Sequence, residues 1–135
     1  MYSRSGIPDR FFSTHRQRKH KVMNNLLALP PAATAENDEF FQTLLRGRGG
    51  LRVERIISHG HTTPEGEWYD QDQDEWVAVI KGEARVAFAD GDEMRLSAGD
   101  TLFLPAQCRH RVAYTSSPCV WLAVFGDTLL PDVQP

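Results

Sequence analysis

Three histidines and one glutamate are the residues of this chain whose types and spacing could bind a metal ion. His59 and His61 are one residue apart, and residues i and i+2 of an extended strand project from the same face. Glu75 begins an apolar strand whose alternate residues face inward, and His110 begins a predicted strand further along the chain. Because a buried carboxylate is costly unless it is paired or binds a cation, these four side chains around one cavity would satisfy a divalent transition metal.

The histidine pair taken alone has a plainer interpretation, which is two ordinary polar residues near a strand end. Thirteen residues separate His61 from Glu75, and they include the stretch PEGEWYDQDQD. This insert could fold over a barrel mouth, so that Trp68, Tyr69 and Gln71 bind a small organic ligand. The alternative is a long hairpin loop whose aromatic residues pack on the rim and whose acids are solvated.

The rest of the chain from residue 51 alternates short β-prone segments with turns. The Asp90-Gly91 pair is typical of a hairpin turn between two of these segments. Strands of this length without intervening helices predict an antiparallel, all-β sandwich or barrel. The predicted strands are 52–58, 75–80, 83–89, 93–96, 101–104, 110–115 and 120–125.

A short N-terminal helix is predicted just before these strands. Phe40, Phe41, Leu44 and Leu45 recur at i, i+1, i+4 and i+5, and Gly47 would end the helix. We expect this helix to pack on the sheet as a lid or flank.

Two strands, 75–80 and 119–125, are apolar on both faces. A single barrel buries only one face of each strand, so the other face needs cover from the N-terminal helix, from a second subunit, or from both. The sequence therefore predicts a homodimer.

These residues resemble the two conserved motifs of the cupins. The first cupin motif runs glycine, five residues, His-x-His, three or four residues, Glu, six residues, Gly, and Glu75 and Gly82 match its second half. The second motif runs Gly, five residues, Pro-x-Gly, two residues, His, three residues, Asn, and Gly99, Pro105 and His110 match it. The resemblance covers about residues 52–125.

The resemblance implies a cupin-type jelly-roll β-barrel in which His59, His61, Glu75 and His110 bind Fe, Mn, Ni or Zn. The chain departs from the motifs in the long insert, in the residues that replace the second motif's glycine and asparagine, and in the missing glycine before His59. Because of the insert, another residue could coordinate in place of a histidine. The alternatives are Asp70, Gln71, Asp72 and Asp74.

Three classes of function remain open from the sequence. The first is a metal-dependent enzyme, of the oxygenase or isomerase type, that acts on a small organic molecule. The second is a non-catalytic barrel that binds or senses a small molecule, and the third is a purely structural dimer. The fold alone does not choose among them.

The amino-acid composition limits the class of protein and the compartment in which we expect it. The 135 residues are 41% hydrophobic and 24% charged, as in an ordinary globular domain. No apolar run approaches the roughly 20 residues needed to span a bilayer, and no signal-peptide core is visible. Two cysteines and a net charge of −3 fit a cytoplasmic protein that does not bind nucleic acid as its main partner.

Residues 1–22 differ in charge from the rest of the chain. They carry six basic residues against one aspartate, a formal +5, so the remaining 113 residues carry −8. We expect a basic extension without fixed structure, followed by one domain over 23–135 with its core at about 51–126. A targeting peptide and a basic arm that contacts nucleic acid or an acidic partner are the alternatives.

Overall fold

The computed structural model describes residues 20–33 and 35–132, and these residues form eight β-strands and one 3₁₀ turn, Pro31–Ala33. The all-β prediction is confirmed, and each of the seven predicted strands is present with its ends within one residue of the predicted ones. The strands are β1 Glu39–Arg46, β2 Arg52–Ser58, β3 Asp74–Lys81, β4 Glu83–Phe88, β5 Glu93–Ser97, β6 Thr101–Leu104, β7 His110–Thr115 and β8 Cys119–Gly126.

The strands form two antiparallel sheets. The larger sheet has the order β1-β2-β8-β3-β6, and the smaller has the order β5-β4-β7. The chain passes from one sheet to the other after β3, β5, β6 and β7, as in a jelly roll.

The core lies between the inner faces of the two sheets. Val79 and Trp121 are opposite each other on β3 and β8, and both are buried. Ala84 and Val86 of β4 approach them from the smaller sheet. The indole Nε1 of Trp121 donates a hydrogen bond to Ser58 Oγ at 3.2 Å, which satisfies the only polar atom of that ring.

The predicted N-terminal helix is wrong, because residues 39–46 form the edge strand β1. Phe40 and Phe41 pair with Ile57 and Ile56 of β2 and so lie on opposite faces. A bulge between Thr43 and Leu45 then shifts the alternation, which produced the helix-like spacing of the apolar residues. An isolated helix of this length is marginal, whereas the strand gains a full ladder of hydrogen bonds to β2.

The outer face of the larger sheet is covered by the chain segment before β1. Arg55 is 4% exposed and projects from β2 under this segment. Its guanidinium donates hydrogen bonds to the carbonyl oxygens of Asn25, Leu26 and Ala28, and to the side-chain oxygen of Gln42. One side chain therefore fastens the segment to two strands.

The C-terminal segment covers another part of the same face. Leu129 and Pro131 line a shallow groove together with Trp76 of β3 and Phe103 of β6, whereas Leu130 is 86% exposed. The backbone N–H of Leu129 donates to Asp74 Oδ2 at 3.0 Å and fixes the start of this segment. Two chain segments thus supply cover that was expected from a helix or a second subunit.

Gly82, which matches the first cupin motif, joins β3 to β4 with a φ of +87°. A Cβ at this position would lie 2.5 Å from the carbonyl oxygen of Pro118 and 3.1 Å from Cys119 Cα. Only glycine therefore allows the close crossing of this turn and the start of β8.

Two further predictions concern membrane-spanning segments and the N-terminal extension. In the described ranges no helix is long and apolar enough to cross a membrane. The prediction that residues 1–22 lack fixed structure falls mostly on residues 1–19, which lie outside the described residues.

Candidate functional site

A cavity of about 100 Å³ opens between the inner faces of the two sheets. Its wall is mainly apolar and includes aromatic side chains from β1 and β8. The polar side chains that line it are Glu39, Tyr69, Gln71, Glu75 and His110. Four of these, Glu75 on β3, His110 on β7, and Tyr69 and Gln71 in the insert, belong to the sites predicted from sequence, so the structure brings part of the predicted site together.

Glu75 lies at the start of β3 and faces the cavity, as its alternation predicts. It is 7% exposed, and its Oε1 accepts a hydrogen bond of 3.0 Å from the amide of Gln71. Burial raises the pKa of Glu75 to about 7, although the Gln71 hydrogen bond opposes the shift. The carboxyl group is therefore close to half protonated near neutral pH.

His110 enters the cavity from the first residue of β7 on the opposite sheet and is 4% exposed. Its Nδ1 lies 2.7 Å from the carbonyl oxygen of Cys108. Because a carbonyl only accepts, Nδ1 carries the proton, and Nε2 presents a lone pair. Burial lowers the pKa of His110, so the neutral imidazole is favoured.

Tyr69 packs against His110. The two rings are stacked with centroids 5.5 Å apart, and the two residues exchange backbone hydrogen bonds of 2.7 and 3.2 Å. The pKa of Tyr69 is raised by burial and, to a smaller extent, by the nearby negative charge of Glu39. The stacking fixes the plane of the imidazole.

The insert between His61 and Glu75 runs along β7. Its backbone meets β7 at three points: the His61 carbonyl accepts from Thr115 Oγ1, Thr63 N–H donates to Val112, and Tyr69 pairs with His110. His61 and His110 are therefore beside opposite ends of β7. At about 3.3 Å per residue, their backbones are separated by on the order of 15 Å along that strand.

Neither His59 nor His61 is among the residues that line the cavity. The two ring nitrogens of His59 contact Ala33 O and, at 3.1 Å, Ser117 Oγ. The Nε2 of His61 lies 3.2 Å from Glu39 Oε1. Of the four predicted metal ligands, the structure brings Glu75 and His110 to one cavity and leaves the two neighbouring histidines outside its lining.

This arrangement does not fit the metal site that the resemblance implies. Within residues 20–33 and 35–132, no group of three or more His, Cys, Asp or Glu side chains is arranged to hold a metal ion. His59 would have to give up both of its hydrogen bonds, and His61 its contact with Glu39, to approach Glu75 and His110.

Of the alternative ligands in the insert, Gln71 lines the cavity and the three aspartates lie elsewhere. Asp70 and Asp72 are exposed, and neither lines the cavity. Asp74 accepts hydrogen bonds from the backbone N–H groups of Leu129 and Ala106, which lower its pKa. Its carboxylate therefore anchors two loops.

Of the three predicted ligand-binding residues of the insert, two line the cavity and one does not. Tyr69 and Gln71 line the cavity, whereas Trp68 lies at the rim, where the guanidinium carbon of Arg109 is 5.8 Å from its ring centroid.

Glu39 and Phe41 line the cavity from β1 and were missed, because a helix was predicted there. Burial raises the pKa of Glu39, and the charge of His61 opposes the shift. The simple alternation of residues 39 and 41 could have placed both on the inner face.

Residues 52–125, which are more than half of the chain, match the cupin domain family. The chain therefore belongs to that family. No curated protein sequence matches it significantly.

Solved structures resemble the chain over most of its length. A protein from Ralstonia eutropha JMP134, described as a "putative mannose-6-phosphate isomerase", is 47% identical with a TM-score of 0.71. The match covers 82% of this chain and 99% of that one.

Two further structures are more distant and show the fold alone. A cupin superfamily protein from Desulfitobacterium hafniense DCB-2 is 18% identical with a TM-score of 0.59, over 76% of this chain and 93% of that one. An RmlC-like cupin protein from Desulfovibrio desulfuricans is 13% identical with a TM-score of 0.62, over 82% of this chain and all of the other.

Proposed function

We propose that this cupin is an isomerase-type enzyme that moves a proton on a small organic molecule held between its two sheets. One observation carries the proposal: Glu75 from the larger sheet and His110 from the smaller sheet line the same apolar cavity. Proton transfer on a bound molecule needs one group that accepts a proton and one that supplies it, both within reach of the ligand.

The two side chains suit complementary roles. The Nε2 lone pair of His110 takes the proton as a C–H bond of the ligand breaks, and the electron pair stays on the ligand. The protonated carboxyl group of Glu75 gives its proton to the ligand oxygen that receives that charge. His110 then returns its proton to the neighbouring carbon, and the Glu75 carboxylate takes the proton of the hydroxyl group on the first carbon, so that both side chains are restored and the ligand is isomerised. An apolar wall strengthens these interactions because it excludes water.

The 47% identical protein from Ralstonia eutropha supports the reaction type, since its description names an isomerase. That description also names a phosphorylated sugar as the substrate. No lysine or arginine is among the described residues that line the present cavity, so nothing there would neutralise a phosphate dianion. We therefore propose the same type of reaction for this chain, but not a phosphorylated sugar as its substrate.

A metal-dependent mechanism was the first expectation from the sequence. A bound divalent ion would polarise an oxygen atom of the ligand. Since the donors as arranged do not fit such an ion, the proposed steps use the side chains of Glu75 and His110 alone.

The test is solvent exchange. The protein is incubated in D₂O, with a chelator, with a panel of small hydroxyaldehydes and hydroxyketones, and proton NMR follows deuterium entry next to the carbonyl. We expect protein-dependent exchange that falls by about 100-fold or more in Glu75→Gln and in His110→Gln. The matched controls, Glu83→Gln and His20→Gln, alter exposed residues and should exchange like the wild type.

If a compound of the panel binds but shows no exchange, the protein is a non-catalytic binding barrel and the proposed enzyme is wrong. Exchange that disappears with the chelator and returns with a divalent metal would overturn the metal-free roles of Glu75 and His110.

A further inference from the structure

The polar side chains that face the cavity present mainly hydrogen-bond acceptors. Glu39 and Glu75 contribute carboxyl oxygens, and His110 contributes the lone pair of Nε2. Among the lining donors, the Gln71 amide already donates to Glu75 and the Trp121 indole to Ser58, and the Tyr69 hydroxyl lies beside Thr63. A ligand that fills this space must therefore bring donors of its own.

Two of these acceptor atoms have no hydrogen-bond partner among the described residues: Glu75 Oε2 and His110 Nε2. Both side chains are more than nine-tenths buried. In the same part of the chain, no side-chain nitrogen or oxygen is at once sealed from solvent and unpartnered. The two free atoms therefore open onto the cavity, where a ligand can reach them.

The charge of the cavity has one sign. Two carboxyl groups line it, and no lysine or arginine is among the described lining residues. Glu39 has His61 at 3.2 Å behind it, whereas the guanidinium whose charge acts on Glu75, that of Arg52, is ion-paired with Glu54 at 2.6 Å. A buried carboxylate is stable when a cation pairs with it. The aromatic rings of Trp121 and Phe125 complete the wall, and ring faces attract cations.

We propose that the ligand of this cavity is a small organic cation with N–H groups, such as a primary ammonium compound. This inference rests on the proposed function only in taking the cavity as the ligand site. The ammonium group donates to Glu75 Oε2 and His110 Nε2, and the carbon part of the ligand packs on the aromatic wall. Anions and phosphorylated compounds are excluded by the two carboxyl groups.

The test compares three probes of nearly equal size: propylammonium, 1-propanol and propionate. Binding to the full chain is measured by NMR titration with a chelator present, so that no metal ion competes for the carboxylates. We expect saturable binding of propylammonium and at least about tenfold weaker binding of the other two probes, since hydrogen bonds to charged groups contribute this much. Glu75→Gln should weaken propylammonium binding by about tenfold or more, whereas Glu83→Gln, on the exposed side of β4, should not change it.

Equal binding of 1-propanol, tighter binding of propionate, or unchanged propylammonium binding in Glu75→Gln would each overturn the inference. The proposed function has its own readout. Glu75-dependent deuterium exchange on an uncharged compound would support the proposed enzyme and contradict the cationic ligand. Propylammonium binding without exchange on any compound would support the cationic ligand and contradict the proposed enzyme.

Discussion

The Nε2 atom of His61 lies 3.2 Å from the Oε1 atom of Glu39, and Glu39 lines the cavity that Glu75 and His110 share. His61 thus contacts a residue that lines the cavity but does not line the cavity itself. The side-chain contacts of His59 and His61 run to β1 and to the loops near it.

Replacing His59 tests whether that histidine is structural or a ligand. His59→Ala removes the hydrogen bonds to Ala33 and Ser117, so the free energy of unfolding should fall by about 1–2 kcal/mol. Metal content, measured by elemental analysis of the purified protein, should not change. His20→Ala alters an exposed histidine and is the control. Loss of a stoichiometric metal from His59→Ala would show that the predicted ligand set does form.

The raised pKa of Glu75 predicts how stability depends on pH. The folded protein holds this proton more tightly than the unfolded chain, so the contribution is full below about pH 4.5 and is lost as pH rises through about 7. The loss amounts to roughly 3 kcal/mol at 1.4 kcal/mol per pKa unit. Glu75→Gln should remove this slope, which chemical denaturation of both proteins across that pH range will measure. Parallel pH profiles for the two proteins would contradict the buried placement of the carboxyl group.

Gly82 and Gly66 form a matched pair for testing the crossing between β3 and β4. Both have a φ of +87°, but a Cβ on Gly66 meets no atom within 4 Å, whereas one on Gly82 meets Pro118 and Cys119. Gly66→Ala should cost about 1 kcal/mol of stability from backbone strain alone. Gly82→Ala should cost about 3 kcal/mol or more, because it adds a steric clash. Equal losses in thermal or chemical denaturation would argue against the close approach.

Two deletions separate the basic N-terminal extension from the segment that Arg55 holds. Removing residues 1–22 should leave the circular dichroism spectrum and the unfolding free energy unchanged. Removing residues 1–30 should cost about 3 kcal/mol or more, since the buried guanidinium then loses its carbonyl partners. A collapse of the fold in the shorter deletion would show that the extension belongs to the domain.

The homodimer stays a prediction, and the edge strand β1 offers a place to test it. Phe41 and Leu45 are more than half exposed on this strand. Light scattering after size exclusion should give twice the 15.3 kDa mass of the chain, and Leu45→Glu should reduce it to that of a monomer. A monomeric wild type would mean that the N- and C-terminal segments supply all the cover the sheet needs.

The sequence predicted the strands well because their signals are local. In β3 and β8, β-branched and aromatic residues fill both faces and turn residues mark the ends, so their existence and bounds followed directly. β1 was mistaken for a helix because its bulge breaks the period of two, and because its pairing with β2 is a tertiary interaction that spacing does not reveal.

The site was predicted only in part for a related reason. The positions of Glu75 and His110 follow from strand alternation and from their match to the motifs, and both reach the cavity. The course of the insert depends on backbone pairing with β7 between Thr63 and Val112 and between Tyr69 and His110. That pairing carries His61 to the far end of β7, and no property of His61 itself could indicate it.

Both segments that cover the larger sheet lie on its outer face, away from the space between the sheets. A surface tether or a fluorescent label attached at residue 22 or at residue 132 would therefore sit on the back of the molecule. Because neither segment contributes a residue to the cavity lining, binding can be followed on a sensor chip with the attachment point outside the cavity.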